Sequence, residues 1–150
     1  MKKLITIFIV IMLIISYWLL SPIFKTEEVF EPLENIIPKK EEGIVPELSS
    51  EGLFSGLAGH EARGTISLFK IGEDNFIRFE EDFFVTNGPD LFVHLGKDGE
   101  YIKEANLGVL KGNVGSQNYK IPEELDINNF NEVWVWCRAF SVPFGKAVFK

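Results

Sequence analysis

Apolar residues are distributed along this chain in three successive patterns. From Leu4 to Phe24 they form a run without a single charge, preceded by Lys2 and Lys3. As a helix rising about 1.5 Å per residue, the run would cover roughly 30 Å, the thickness of a bilayer's hydrocarbon core. From Thr26 to Ser50 the apolar positions are scattered and follow neither a helical nor a strand period. Pro32, Pro38 and Pro46 interrupt this stretch, and Glu27, Glu28, Glu31, Glu34, Glu41, Glu42 and Glu47 make it acidic. From Glu51 to Lys150 the pattern becomes one of short alternating runs separated by turn residues.

Strand signals dominate that last region. Thr65–Leu68 and Phe76–Glu80 alternate, and Leu91–Leu95 follows the turn-forming Asn87-Gly88-Pro89-Asp90. Gly72–Asn75, Gly96–Gly99 and Gly112–Gly115 supply further turns. Leu107–Leu110, Asn118–Ile121, Val133–Cys137 and Ala147–Phe149 bring the expectation to some eight short strands. Strands at this spacing predict an all-β fold, an antiparallel β-sandwich or barrel-like domain. The only helical candidate is a turn near Pro122–Leu125. Strand period places Val133, Val135 and Cys137 on one face of the last long strand, and Trp134, Trp136 and Arg138 on the other. In the earlier strand, Leu91, Val93 and Leu95 oppose Phe92 and His94. Both faces of both strands are largely apolar, so the strands are central or one face is covered. Phe140, Pro143 and Phe144 are expected to cover one end of the layer formed by Trp134, Trp136 and Arg138.

The division that follows is a transmembrane signal anchor over 1–25, an acidic tether over 26–50 and a β domain over 51–150. Tyr17 and Trp18 lie where interfacial aromatics usually sit. A cleaved signal peptide is the competitor, but Ser16 and Ser21 have the wrong spacing for a cleavage site and Pro22 follows. Lys2 and Lys3 precede the span, whereas Lys25 gives way to Glu27 and Glu28. The positive-inside tendency therefore predicts a single-pass protein of the cell membrane with its C-terminal domain outside the cytoplasm. As a flexible coil, the tether would separate domain and bilayer by roughly 25–30 Å.

Charge narrows the partners. The net charge of −7 and the lack of any basic cluster argue against nucleic acid and against docking on anionic lipid. The motifs G-x-S-x-G and H-E-x-x-H are absent, and no paired acid/base arrangement stands out among Asp82, Asp90 and Glu132. Cys137 is the only cysteine, which rules out a disulfide within the chain. Outside the cytoplasm a lone thiol must be buried, partnered or chemically used. Its strand-face companions are valines, as for a small core residue, and Arg138, the adjacent cation, points to the other face. His60 and His94 are the only histidines and weak metal candidates, with no ligand spacing. No C-x-x-C-H motif for covalent haem attachment occurs. Trp134, Trp136 and Arg138 form either a second packed layer or a flat stacking surface for a sugar, quinone or planar cofactor.

From about Gly52 onward the chain resembles the DM13 domain family. The matching residues include Phe79, Phe83 and Val85, then Asn87–Leu91 and Val93-His94-Leu95. Leu107-Gly108, Leu110–Asn113, Gly115, Gln117, Tyr119 and Ile121-Pro122 continue the match, which Val133, Trp136-Cys137, Phe140, Val142, Phe144-Gly145 and Ala147 complete. Gly52–Phe54 and His60–Gly64 look like the family's looser start. The resemblance implies an all-β domain with a proposed role in extracytoplasmic electron transfer. It also implies that the family's proposed redox cysteine falls on Cys137, as a free thiol or as the ligand of a prosthetic group such as haem. No DOMON or cytochrome domain accompanies it, so an electron donor or acceptor is expected in a partner protein. Two functions stay open: a redox domain using Cys137, or a non-catalytic module binding a surface polymer or a partner protein.

Overall fold

The computed structural model describes residues 2–20, 25–37 and 45–149. The uncharged N-terminal run is helical as α1, Lys2–Leu20. Among the described residues no helix is long and apolar enough to cross a membrane. The expected span continued to Phe24, and residues 21–24 lie outside the described residues.

The rest is all-β, as the alternating runs predict. Among the described residues ten strands form: β1 (Glu47–Gly56), β2 (Ala62–Arg63), β3 (Thr65–Ile71), β4 (Asp74–Phe79), β5 (Phe84–Val85), β6 (Leu91–Lys97), β7 (Glu100–Val109), β8 (Gln117–Lys120), β9 (Glu132–Cys137) and β10 (Val142–Phe149). Eight of them build one antiparallel sheet in the order β7-β6-β9-β10-β1-β3-β4-β8, while β2 and β5 pair separately. The sheet curls into a nearly closed barrel. Its two edges approach where the Lys111 amide donates to Gln117 Oε1 and Tyr119 Oη at 3.0 and 3.1 Å. Phe54, Phe79 and Phe83 meet at ring-centroid distances of 4.6 to 5.0 Å inside it. Ile66, Ile77, Val93, Leu95, Val133 and Val135 fill the interior around them, all fully buried.

Turn chemistry decides several connections. Asp98 and Gly99 both have positive φ, 52° and 92°, which the two-residue turn between β6 and β7 requires. The expected turn at Pro122–Leu125 closes with Leu125 N–H donating to Pro122 O at 2.9 Å. A separate short 3-10 turn covers Ile127–Asn129.

Part of the stretch expected to be a free tether is docked on the barrel. Val29 N–H donates to Val114 O and Glu31 N–H to Ser116 O, at 3.0 and 2.9 Å. The Glu31 carboxylate takes both Lys111 Nζ at 2.8 Å and the Asn118 amide at 2.7 Å. Arg78, buried, donates to Glu31 O and Asn118 Oδ1, both at 2.8 Å. The segment thus adds backbone and carboxylate hydrogen bonds rather than an apolar face, which is why no period marked it. At its other end the stretch overlaps the first strand, since β1 begins at Glu47.

Candidate functional site

The pleat of β9 sets the site. Val133, Val135 and Cys137 point inward and each is fully buried, in one core cluster. Cys137 pairs with Leu91 of β6 and Val142 of β10, and its thiol is free. Cys137 lines none of the surface cavities described below.

The outer face carries the aromatics. Trp136 lies opposite Phe92 and Trp134 opposite His94. Strand pairing between β6 and β7 is broken: His94 faces Asn106, yet Gly96 faces Tyr101. The extra residues of β7 bulge over β6 and re-aim Tyr101, as bulges do. Its ring lies flat on Trp136, 4.2 Å between centroids and 5° between planes. The same ring stands edge-on to His94 at 4.7 Å. This half-exposed aromatic cover is what lets both faces of β6 and β9 be apolar.

Arg138 closes the other side. Its guanidinium lies 4.3 Å from the Phe92 ring centroid and grips Asp90 with two hydrogen bonds of 2.8 and 3.2 Å. Between these groups is a cavity of about 220 Å³ lined by Phe92, His94, Tyr101, Lys103, Asn106, Trp136 and Arg138. His94 is buried, and its Nδ1 has no hydrogen-bond partner among the described residues. Burial holds the His94 imidazole below its ordinary value of 6.5, while the Ile102 and Lys103 backbone and the Glu104 carboxylate push the other way. Burial, and then Glu104, raises the Tyr101 phenol.

The structure thus gathers Trp136, Arg138 and His94 around one cavity and leaves Trp134 out. Trp134 is buried, its Nε1 donating to Glu132 Oε2 at 2.9 Å, with Lys146 Nζ over its ring. Gly96 leaves the room for that indole, since a Cβ there would collide with the Trp134 ring. His60 is far from this arrangement in role: it stacks on Phe144 at 3.6 Å and 10°. Phe144, expected over one end of the Trp136 face, lies instead in the inner core, and Phe140 is 62% exposed in the β9–β10 turn. Among the described residues no group of three or more His, Cys, Asp or Glu side chains could hold a metal ion. His94 and Cys137 occupy opposite faces of the sheet, so they do not form a joint site. Sequence reasoning missed Tyr101, Lys103 and Asn106. Their segment, Glu100–Asn106, is polar and irregular, and only the bulge brings it over β6.

A haem at Cys137 does not fit. The sulfur is enclosed among Leu91, Val142 and the valines. Cofactor pockets commonly run to about 300–1,000 Å³, and among the described residues Cys137 lines none of the cavities of that size. A second, buried polar centre had no sequence signal. Glu132 is 3% exposed and takes Lys146 Nζ at 2.8 Å, the Gly99 amide at 3.1 Å and the Trp134 indole. Its bonds explain the burial of a carboxylate and give it a structural part.

A family model described as electron transfer DM13 matches residues 54–149. No curated protein and no solved structure matches the chain.

Proposed function

This chain belongs to the electron-transfer DM13 family, and from that premise we propose that it is a membrane-tethered redox domain working outside the cytoplasm. Its redox group is the Cys137 sulfur itself, not a haem bound to it. The thiol passes one electron through the Trp136–Tyr101 stack to a one-electron oxidant and releases its proton to solvent, leaving a sulfur-centred radical that regains both on reduction. One observation carries this reading: the sealed sulfur follows directly on Trp136, whose ring reaches the surface by stacking on Tyr101. The uncharged run ending α1 and the lysines before it support the tether and its orientation. The partner is a separate redox protein or a small carrier.

The test compares wild type with Cys137→Ala by protein-film voltammetry. Wild type gives a reversible wave and the folded variant loses it. A second reading, a non-catalytic binding module, is favoured by the full enclosure of Cys137. It replaces the first if wild type shows no wave and its thiol resists even small oxidants. Orientation is checked separately by protease on spheroplasts, where residues 45–149 must be accessible without permeabilising the membrane.

A further inference from the structure

We propose that the cavity between Tyr101, Trp136 and Arg138 binds a quinone-class ring, a flat ring bearing carbonyl oxygens, drawn from the adjoining bilayer. The site rests on the membrane-tethered reading above and goes beyond it by naming the ligand. Its shape comes first. Tyr101 lies parallel on Trp136, so the two rings form one rigid aromatic wall, and both line the cavity together with Phe92. A cavity of about 220 Å³ is below the size of drug-sized pockets and suits one ring with small substituents.

Polar chemistry selects the ring's substituents. The Asn106 carbonyl oxygen is occupied by the Gly108 amide at 2.8 Å, which leaves the Asn106 side-chain NH₂ as a donor. Lys103 is exposed and has no ion pair among the described residues, so it is a second donor at the rim. His94 lines the same cavity and holds a buried nitrogen with no partner. Arg138 differs: Asp90 already matches its charge, so it offers a guanidinium plane rather than an unpaired cation. Two donors and flat walls fit the carbonyl oxygens of a neutral ring, and the one unmatched cation, Lys103, is at the exposed rim, where solvent screening leaves its charge little preference for a carboxylate.

The cavity's position supplies the source. Lys25, Asn87–Leu91 and Val109–Asn113 line a second cavity, of about 230 Å³, at the same end of the barrel. Asp90 there is the partner of Arg138. The helix ends at Leu20, so at no more than about 3.6 Å per residue Lys25 lies within roughly 18 Å of it. The docked Glu27–Glu31 segment fixes that end, and it carries the exposed apolar side chains Val109 and Phe140. In a tethered chain this end faces the lipid, where quinone-class carriers dissolve.

The experiment titrates duroquinone, whose fully methylated ring cannot alkylate a thiol, into the full chain in nanodiscs. Indole N–H signals are read by NMR, with benzoate as the contrasting ligand. The Trp136 signal shifts with duroquinone and the Trp134 signal stays. Trp136→Leu, which removes that reporter, is read by equilibrium dialysis and retains no more duroquinone than empty nanodiscs. Lys103→Ala and Asn106→Ala, both at exposed positions, each weaken binding about five- to tenfold, the scale of one lost hydrogen bond. The site is overturned if the Trp136 signal does not move, if both rim variants bind as well as wild type, or if benzoate alone binds. Binding here requires no electron exchange. A chain that binds duroquinone but shows no voltammetric wave keeps the site and loses the redox reading, and the reverse result loses the site alone.

Discussion

On the inner face of β9, Val133, Val135 and Cys137 are fully enclosed, whereas on its outer face Trp134, Trp136 and Arg138 step from buried to exposed. The inner side chains are small and are held by neighbours on both adjoining strands. The outer ones are large and are held by specific partners: Glu132 and Lys146 for Trp134, Tyr101 for Trp136, Asp90 and Phe92 for Arg138. Volume therefore governs the inner face and specific contacts govern the outer one. A chemical role needs access, which only the outer face has. Cys137 can take part in chemistry only through the groups that lie outside it.

The largest effect that would sharpen this contrast is a charge placed inside. Val135→Asp would bury an unpaired carboxylate in the core and should cost more than about 4 kcal/mol, enough to unfold most of a domain stable by about 5–15 kcal/mol. Arg138→Ala on the outer face should cost about 1 kcal/mol or less, since its ion pair with Asp90 is largely exposed. Urea unfolding followed by circular dichroism measures both. Equal losses from the two substitutions would dissolve the distinction between faces.

Cys137 gives the next test. Cys137→Ser leaves the volume nearly unchanged but buries a hydroxyl, costing about 1–3 kcal/mol where no acceptor is met. Cys137→Ala removes only the sulfur and should cost about 1–2 kcal/mol. Bulky thiol reagents should label wild type only at the rate at which the domain opens. Rapid labelling of the folded domain would place the sulfur at a surface and restore direct thiol chemistry.

These contrasts were legible in the sequence to different depths. Alternation along Val133–Cys137 gave the two faces, because a strand with two packed sides still obeys a period of 2. The barrel-like all-β fold followed from turn spacing in the same way. β1 was partly hidden: its inward positions are Gly52 and Phe54, and a glycine carries no apolar signal. The docked Glu27–Glu31 segment was hidden because backbone amides and one carboxylate hold it, not an apolar stripe. Trp136, Arg138 and His94 could be picked out by residue type. Tyr101 could not, because its place over Trp136 depends on a bulge that breaks the β6–β7 register. Trp134 looked equivalent to Trp136 in sequence, and the difference lies in Glu132, whose burial no local pattern announces.

The smallest effect concerns His94, where the outer face comes closest to behaving like the inner one. Its imidazole is buried and one nitrogen is unpartnered, so protonation is opposed in the folded state more than in the unfolded chain. The folded value therefore lies below 6.5, the ordinary value expected on unfolding. The stability this provides is fully present above about pH 6.5 and is lost as pH falls toward the folded value, because the unfolded chain takes up the proton first. The neighbouring groups are the Ile102 and Lys103 backbone and the Glu104 carboxylate, which favour the proton, the Lys103 ammonium at the cavity rim, and Arg138, already matched by Asp90. The comparison of urea midpoints at pH 7.5 and pH 5.5 should show wild type losing more stability than His94→Gln, which cannot titrate. Carboxylates elsewhere titrate equally in both proteins and cancel in the difference. Identical pH dependence in the two would mean that the imidazole is solvated, and the outer face would then be open down to β6 rather than sealed by Tyr101.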